Sequence, residues 1–335
     1  MPSLKDLAKE CGVSVATVSK ALNDQPDIAP ATRERIRAAA RRMGYLPNAA
    51  ARALKTNRTY NLGVLFVDEK QSGLTHEYFS AVLDSFKVEA EKRGYDITFI
   101  THNMGHSKMT YLEHCRYRNV DGVCIVCSHF DDGEVLQLVS SSLPLVTIDH
   151  VFNNRACIQS ENRQGVEALT RHVLSMGHKK IAFVYGAEDT VSDIRLTTFL
   201  RTMNEAGLSV PDDYLVASPY HDPASTREAT AQLLALADRP TCILMPDDFS
   251  SIGGGNAIRR MDLRFPEDVS AAGYDGIQLA SVTNPAMTTY RQDTAALGKT
   301  AAAKLIELIE KPRTALVDRI LIPGKLVEGG SVRAI

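Results

Sequence analysis

Four aspartates and one arginine of this chain are placed where ligand-binding side chains are typically found. Each aspartate follows or ends a short apolar run, and the four are Asp68, Asp149, Asp247 and Asp275. Arg195 lies shortly after another apolar run, which ends at Gly186. A carboxylate can accept two hydroxyl hydrogen bonds, and a guanidinium offers a rigid fork of donors. Together these groups suit the vicinal hydroxyls of a sugar.

The aspartates also have a second interpretation, because an aspartate often caps the helix that follows a strand. We favour this capping role for Asp68. For Asp275, which ends the run GYD, and for Arg195 we favour contact with a ligand.

The apolar runs that carry these side chains alternate with helical segments from Asn61 onward. The runs are 62–67, 96–100, 122–127, 144–148, 180–186, 214–218, 242–246 and 269–275. Repeating strand–helix units predict parallel sheets that are covered by helices on both faces. Two doubly wound lobes fit better than one barrel, because the two halves of this region look like similar blocks. In such proteins a ligand binds where the carboxyl ends of the strands face a cleft.

The first 45 residues instead show helical periodicity. The run GVSVATVSKALN (12–23) is rich in valine and threonine, which usually favour strands. Gly12 nevertheless suits the left-handed end of a first helix, and Ser14 suits the N-cap of a second. Val18 and Leu22, four residues apart, then face inward. Two short helices joined by a tight turn, with a third in support, form an all-α helix-turn-helix.

Charge is distributed unevenly along the chain. The total is −2 at pH 7, but residues 1–58 carry a net charge of +6 and the remainder carries −8. A small basic head on an acidic body is typical of a module that binds a polyanion, although a solvated helical surface could look the same. No apolar run reaches the roughly 18 residues of a membrane span, and no secretory signal is recognisable. We therefore expect a cytoplasmic protein.

The six cysteines are scattered, and Cys124 and Cys127 form a C-x-x-C within an apolar run. On a strand, residues three apart point to opposite faces, so these two thiols would not converge on a metal or on each other. We expect buried, reduced cysteines, and we expect neither a metal nor a cofactor.

Several segments resemble the LacI/GalR family of bacterial transcription regulators. They are SLKDLAKECGVSVATVSKALN, TRERIRAAARRMGYLPNAAARALK, GHKKIAFVYG, PEDVSAAGYDGIQLA and MTTYRQDTAALGKTAA. The resemblance implies a DNA-binding headpiece over 1–46, a hinge helix and linker over 47–59, and a core over 60–335. It also implies a periplasmic-binding-protein-like core, with one lobe of about 60–158 plus 291–320 and a second of about 159–290. A homodimer is implied, and the ending KLVEGGSVRAI has no leucine heptads that would predict a tetramer.

The resemblance assigns DNA contacts to the second helix of the head. Val15 and Ala16 would approach base edges in the major groove, with Thr17 and Ser19 near the backbone and Lys20 able to reach a guanine. Since Val15 and Ala16 carry no hydrogen-bonding group, they could read only shape and thymine methyl groups. In the alternative interpretation Val15 simply covers the core of the head.

The hinge over 47–59 is also implied by the resemblance. Its small residues would let two copies approach closely, and Leu54 would wedge into the minor groove at the centre of a palindromic site. Contacts to DNA are expected from Tyr45, Asn48, Ala51, Arg52 and Arg58. The alternative is an interdomain linker that happens to be rich in alanine.

In the core, the resemblance makes Asp149, Arg195, Asp247 and Asp275 the effector contacts. Phe79 and Tyr220 are the rings expected to stack on a sugar, and His76 either lines the mouth of the site or is merely exposed. No basic cluster accompanies Arg195, which favours a neutral sugar.

Motion of the core would control DNA binding. The chain is expected to cross between lobes near 149–160, 289–292 and 321–324, and helices over 77–93 and 102–117 are expected to carry motion to the hinge. Linkage of about 1–3 kcal/mol would couple effector to DNA, and either an inducer or a corepressor is consistent with the sequence.

Two other classes of protein were weighed. A solute-binding protein of sugar transport would share the core but would need neither the basic head nor its helix-turn-helix. An enzyme on a doubly wound fold would need a phosphate-binding glycine motif, and neither G-x-x-x-x-G-K-[ST] nor G-x-G-x-x-G occurs. The run GGG at 253–255 is predicted to lie within a helix. We therefore expect a regulator and not an enzyme.

Overall fold

The structure is a computed structural model that describes residues 2–46, 53, 58–67, 73–105, 107–186 and 189–335. These residues form two compact units that divide between Tyr60 and Asn61. Several predicted residues lie outside the described part of the chain: Pro47, Asn48, Ala51, Arg52 and Leu54 of the hinge, and Asp68 of the core.

The first unit is a bundle of three helices. They are α1 (Leu4–Cys11), α2 (Val15–Leu22) and α3 (Pro30–Met43). The prediction that the valine-rich run is helical is confirmed, and its local causes are visible. Gly12 ends α1 with a left-handed φ of 61°, and the Ser14 hydroxyl accepts the Thr17 backbone N–H at 3.0 Å. The inward face of α2 contributes the fully buried Val18 and Ala21 to the core of the unit.

The second unit contains nine further described helices and fourteen strands. The helices are α4 (Glu77–Lys92), α5 (Tyr111–Tyr117), α6 (Gly133–Val139), α7 (Asn162–Ser175), α8 (Thr190–Glu205), α9 (Pro223–Leu234), α10 (Ser251–Arg260), α11 (Gln278–Val282) and α12 (Thr294–Glu310). The first seven strands are β1 (Asn61–Phe66), β2 (Asp96–Ile100), β3 (Asn103–Met104), β4 (Ser107–Lys108), β5 (Gly122–Cys127), β6 (Leu145–Ile148) and β7 (Ala156–Ser160). The others are β8 (Ile181–Tyr185), β9 (Leu215–Ala217), β10 (Cys242–Leu244), β11 (Ser270–Asp275), β12 (Thr288–Arg291), β13 (Arg319–Ile322) and β14 (Lys325–Val327).

Two six-stranded sheets form the centres of two lobes. The first has the order β13-β7-β6-β5-β1-β2, and all of its strand pairs are parallel. The second has the order β14-β12-β11-β10-β8-β9, in which only β14 pairs in the antiparallel direction. Central strands such as β5 and β6 are almost wholly buried, as expected when helices cover both faces. The predicted fold class, a helical head and two doubly wound lobes, is confirmed.

The chain passes between the two sheets three times, close to the expected segments 149–160, 289–292 and 321–324. The first sheet continues through Ser160, where the lobe boundary was expected at about 158, so the first crossing follows β7. The second sheet continues through Arg291, and the chain then returns to the first lobe in α12. The last crossing lies between β13 and β14.

The predicted helix over 102–117 was also wrong. A hairpin of β3 and β4 occupies its first part, with Gly105 at a left-handed φ of 63° in the turn. The helix begins only at Tyr111, because Thr110 and Glu113 form a reciprocal capping box that fixes its start. The segment 102–117 therefore contains a short hairpin followed by a shorter helix.

The glycine run follows the prediction, and the cysteines follow it with one exception. All six cysteines are free and five of them are buried, including Cys124 on β5, but Cys127 at the end of the same strand is partly exposed. Gly253, Gly254 and Gly255 lie within α10, as predicted. Within the described residues, we find no helix that is both long and apolar enough to cross a membrane.

Candidate functional site

The outer face of α2 presents three of the predicted DNA-contact residues to solvent. Val15, with 40% of its side chain accessible, and its neighbour Ala16 are exposed at the start of the helix, and Lys20 is exposed one turn later. Thr17 and Ser19 are partly buried, and the Thr17 hydroxyl lies 2.9 Å from that of Ser14. Val15 therefore does not cover the core of the head, and it is accessible to a partner.

Lys20 forms an ion pair with Asp27, and each of the two side chains is 51% exposed. Water screens an exposed pair of this kind, so a phosphate or a guanine can replace Asp27 at low cost. Tyr45 has a different environment, because its ring packs against the core of the head and burial raises its pKa. The other predicted DNA contacts, Asn48, Ala51, Arg52 and Leu54, lie outside the described residues.

In the second unit, Arg195 lies deep in the region where the two lobes meet. Its side chain is 6% exposed on α8, and its Nε donates to Asn162 Oδ1 at 2.8 Å. Its Nη1 donates to the Pro246 carbonyl at 3.3 Å, and the centre of the guanidinium lies 3.7 Å from the ring centroid of Tyr274. These contacts hold the guanidinium in one orientation, with its Nη2 4.0 Å from Asp275.

Asp275 ends β11 with an unusual backbone. Its φ is +94°, which an L residue adopts only when the surroundings enforce it. Its Oδ1 accepts a hydrogen bond from Gln292 Nε2 at 2.6 Å. Burial raises the pKa of Asp275, although the charge of Arg195 opposes the change. A buried carboxylate in this state gains from any additional hydrogen-bond donor.

Asp149 occupies the corresponding position at the end of β6 in the first lobe. It too has a left-handed backbone, with φ +59°. Its Oδ1 accepts the Ser160 backbone N–H at 2.9 Å, and its Oδ2 accepts the Tyr78 hydroxyl at 3.1 Å. Burial raises the pKa of Asp149. The sequence did not predict Tyr78, because its partner is 71 positions away.

The contacts of Asp247 favour the capping alternative over ligand contact. Its side chain is 1% exposed, and both of its oxygens are occupied. Oδ1 accepts the Ser250 backbone N–H at 2.7 Å, while Oδ2 accepts the His221 N–H at 2.8 Å and the Ser250 hydroxyl at 2.7 Å. Burial opposes ionisation of Asp247, but hydrogen bonds and charge from His221 prevail and lower its pKa to about 2. Asp247 therefore stabilises the loop that contains His221.

Asp248, the next residue along the chain, stabilises a second loop. It was not among the predicted site residues. Its Oδ2 accepts the backbone N–H groups of Gly276 and Ile277, at 2.7 and 3.1 Å. These amides immediately follow Asp275. The two neighbouring aspartates thus brace loops on opposite sides of β10.

Aromatic rings from both lobes meet at the cleft. His76 is 6% exposed, so it is not the exposed histidine of the alternative interpretation. Its ring centroid lies 3.8 Å from that of His221 in the other lobe and 5.5 Å from that of Phe79. Phe79 and His221 are 5.7 Å apart. His221 was missed by the sequence prediction, since an isolated histidine in a loop gives no local signal.

Tyr220 lies beside Arg195, and a glycine makes this position possible. The guanidinium centre is 5.4 Å from the Tyr220 ring centroid, and the Tyr220 hydroxyl accepts from Ser192 at 3.0 Å. A Cβ on Gly186 would lie 2.1 Å from the ring, so only glycine fits there.

A polar contact at the rim of the cleft also joins the lobes. The Glu77 carboxylate, in the first turn of α4, accepts the backbone N–H of Gln278, the first residue of α11. An anion at a helix N-terminus is favourable because it satisfies a free amide and interacts with the helix dipole.

Taken together, these side chains can orient hydrogen-bonding groups of a small molecule. Asp247 is the exception among the predicted effector residues, because its oxygens are occupied by its own loops. In the described part of the chain, no set of three or more histidine, cysteine, aspartate or glutamate side chains is arranged to hold a metal ion.

Each of the two units is matched by the model of a known protein family. A family model described as bacterial regulatory proteins of the lacI family matches residues 3–48. A model of the periplasmic binding protein-like domain matches residues 170–332.

Several characterised relatives match over nearly the whole chain. The HTH-type transcriptional repressor PurR of Haemophilus influenzae is 30% identical over 342 residues, which cover 100% of both chains. PurR of Photobacterium profundum is 32% identical and covers 92% of each chain. The ribose operon repressor of Escherichia coli is 30% identical over 99% of this chain and 100% of its own.

Solved structures show the same fold. The lac repressor dimer bound to operator and the anti-inducer ONPF has a TM-score of 0.81 and 24% identity, covering 99% of each chain. The complex of the transcriptional regulator CelR with cellobiose has a TM-score of 0.73 and 24% identity, covering 99% of this chain and 100% of its own. Because the relatives match at 30% identity or more along the full chain, and the head matches the family model, the chain belongs to the lacI family of bacterial regulatory proteins.

Proposed function

We propose that this protein represses transcription in the cytoplasm by binding a palindromic operator as a homodimer, under the control of a small effector. The observation that carries the proposal is the outer face of α2. Val15, Ala16 and Lys20 are exposed on it, while Val18 on the opposite face is fully buried. A helix presented in this way fits the major groove, with its first residues against the base edges.

The chemistry of α2 limits how it reads a sequence. Val15 and Ala16 can contact thymine methyl groups and sense shape, but they cannot form hydrogen bonds to bases. Lys20 is the one long donor among the predicted readers on this helix, and its ion pair with the exposed Asp27 is weak enough to exchange. The net charge of +6 on residues 1–58 supports attraction to the phosphate backbone.

The effector is proposed to bind between the lobes of the core and to be a sugar. Arg195 and Asp275 are buried together there, with Asp149 at the equivalent strand end of the other lobe. Carboxylates and a guanidinium suit hydroxyl groups, and the rings of Phe79 and Tyr220 offer flat apolar faces. Among the relatives, one is named for the ribose operon, and one structural neighbour holds cellobiose.

Control of DNA binding requires only that the effector prefer one arrangement of the lobes. The contacts of Glu77 with Gln278 and of His76 with His221 join the two lobes and would change if the cleft opened. An effector that favours one arrangement shifts operator affinity by the coupling free energy, about 1–3 kcal/mol.

Selection of operator sequences from random duplexes tests the proposal. The full chain should enrich a palindrome, and Lys20→Ala should relax the preference at one base pair in each half-site, by about 1–3 kcal/mol. Lys9→Ala, at an exposed position on α1, is the matched control and should keep the preference. Failure to enrich any palindrome, with or without small molecules, would refute the proposal.

A further inference from the structure

Two histidine side chains from opposite lobes are in contact at the cleft. His76 is the N-cap residue of α4 in the first lobe, and His221 lies between β9 and α9 of the second. Their ring centroids are 3.8 Å apart, and the planes of the rings meet at 58°. His76 is 6% exposed and the His221 side chain is 14% exposed. The lobes therefore meet through a pair of buried imidazole rings.

Aromatic rings surround the histidine pair. Phe79, on α4, has its ring centroid 5.5 Å from that of His76 and 5.7 Å from that of His221. Phe249 of the second lobe lies 6.1 Å from His76, measured in the same way. Burial in such surroundings disfavours a charged imidazole, because the charge loses its hydration. A proton on the pair is therefore costly unless a carboxylate lies beside it.

Asp247 supplies such a carboxylate to His221. Its Oδ1 lies 3.7 Å from His221 Nδ1, and its Oδ2 accepts the His221 backbone N–H at 2.8 Å. His221 has a left-handed backbone, with φ +57°, which this bond helps to maintain. Burial opposes ionisation of Asp247, but its hydrogen bonds and the charge of His221 hold its pKa at about 2. A first proton on the pair is therefore accommodated on His221, beside an ionised Asp247.

The other charged groups near the pair have contacts of their own. On the elements around the two rings, within the described residues, they are Glu77 on α4, Asp222 before α9, Asp248 after β10, Asp275 at the end of β11 and Arg195 on α8. Glu77, Asp222 and Asp248 accept backbone N–H groups at the start of α11, at the start of α9 and in the loop after β11. The Asp275 carboxylate lies 4.0 Å from the Arg195 guanidinium, which balances its charge.

A second proton, on His76, changes the balance of charge. Histidine ordinarily gains its charge as the pH falls from about 8 to about 5, so modest acidification is enough. Two imidazolium rings would then lie 3.8 Å apart where little water reaches them, which is unfavourable. Opening of the cleft separates the two charges and hydrates both rings. The open arrangement therefore binds the second proton more readily, and acidification shifts the lobes towards it.

We propose that His76 and His221 form a pH-sensitive latch between the lobes, which holds the cleft closed while at least one ring is neutral and releases it when both are protonated. The latch goes beyond control by an effector, because protons alone shift the same equilibrium between closed and open lobes. If lobe closure is coupled to operator binding, acidification changes operator affinity in the same direction as any other opening of the cleft.

Hydrogen–deuterium exchange of the full chain, without DNA or added small molecules, tests the proposal. Rates are measured at pH 7.5 and pH 5.5, and each is divided by the intrinsic rate of an unfolded amide at that pH. The corrected exchange of the segments 76–82 and 219–224, which carry the two rings, should be about tenfold faster at pH 5.5. The corrected exchange of β5 and β10, within the two sheets, should not change, because the lobes themselves stay folded.

Replacement of His76 assigns the effect to the pair. His76→Phe keeps a ring against His221 but cannot be protonated, and His76→Gln is polar and neutral. Both variants should therefore exchange at the same corrected rate at the two pH values. His129→Phe is the matched control, because it removes an exposed histidine from the loop after β5, and it should keep the tenfold acceleration.

Three results would overturn the proposal. The first is a wild-type chain in which the segments 76–82 and 219–224 show no acceleration at pH 5.5. The second is an equal acceleration of β5 and β10, which would indicate unfolding of the lobes. The third is a folded His76 variant that retains the acceleration. The exchange experiment needs neither operator nor effector, so the latch and the regulatory function can fail separately.

Discussion

The carboxylate of Asp248 accepts the backbone N–H of Gly276 at 2.7 Å, and through this bond it holds the loop that directs Asp275 into the cleft. The same oxygen accepts the N–H of Ile277 at 3.1 Å. Asp275 itself has a left-handed backbone with φ +94°, so its conformation depends on the loop that follows it. Asp248 is therefore a positioning residue for the effector site.

Asp248→Asn should preserve this bracing, since an amide oxygen can accept both N–H groups and burial raises the pKa of the native acid, which disfavours its charged form. We expect its free energy of unfolding to lie within about 1 kcal/mol of the wild-type value. Asp248→Ala leaves one buried and one partly buried amide without an acceptor and should lose about 2–4 kcal/mol of stability. Urea unfolding of both variants measures the difference, and equal losses would show that the side chain does not act through the two amides.

Glycines 253 and 255 lie two residues apart on α10 and should respond in opposite directions to alanine. A Cβ on Gly253 would lie 1.8 Å from the backbone oxygen of Pro223 on α9, so the two helices would have to separate. We expect Gly253→Ala to cost about 1–3 kcal/mol. A Cβ on Gly255 meets only the end of the Arg259 side chain at 3.4 Å, so Gly255→Ala should gain about 0.5–1 kcal/mol of helix stability. Unfolding curves in which both variants shift the same way would contradict this packing.

Replacement of Asp149 should change how stability depends on pH. Burial raises the pKa of Asp149 in the folded chain above its value in the unfolded chain. At pH values between these two pKa values, the folded state therefore binds more protons than the unfolded state. The contribution of Asp149 to the free energy of unfolding is therefore present at acid pH and is lost as the pH rises through that interval. Asp149→Asn removes the ionisable group while keeping an oxygen for the Ser160 N–H, so we expect a higher Tm than wild type at pH 7.5.

The advantage of Asp149→Asn should shrink as the pH is lowered towards 4, which Tm measurements at several pH values will show. Asp193→Asn serves as the control, because Asp193 is exposed. An Asp149→Asn variant that is less stable than wild type at pH 7.5 would mean that ionised Asp149 stabilises the fold.

The rim contact between Glu77 and Gln278 should help to hold the lobes together. Glu77→Ala removes the acceptor of the Gln278 N–H, and a net hydrogen bond of about 0.5–1.5 kcal/mol corresponds to a roughly two- to tenfold change in the closed population. Hydrogen–deuterium exchange of the segment 275–282 should become faster by that factor. Glu91→Ala, which breaks only a surface ion pair with Lys87 on the same helix, should leave this segment unchanged. Equal exchange in both variants would rule out a role for Glu77 in closure.

The sequence alone determined those features whose causes are local. Gly12 and Ser14 fix the turn and the start of α2 through contacts within three or four residues, so the helix-turn-helix could be derived from spacing. The apolar runs predicted the parallel sheets for the same reason, since a strand that is buried on both faces must be apolar throughout. The helix expected over 102–117 was wrong in its first part, because a local capping box at Thr110 starts the helix only at Tyr111.

The roles of the cleft residues were decided only by tertiary structure. Asp247 and Asp248 are chemically identical neighbours, yet one braces the loop at His221 and the other the loop at Gly276, 26 and 28 positions away. Nothing near them in the sequence distinguishes a carboxylate whose oxygens are occupied by backbone amides from one that is left for a ligand. Hydrogen bonding and charge act over a few ångströms in space, and the fold alone decides which residues lie within that distance.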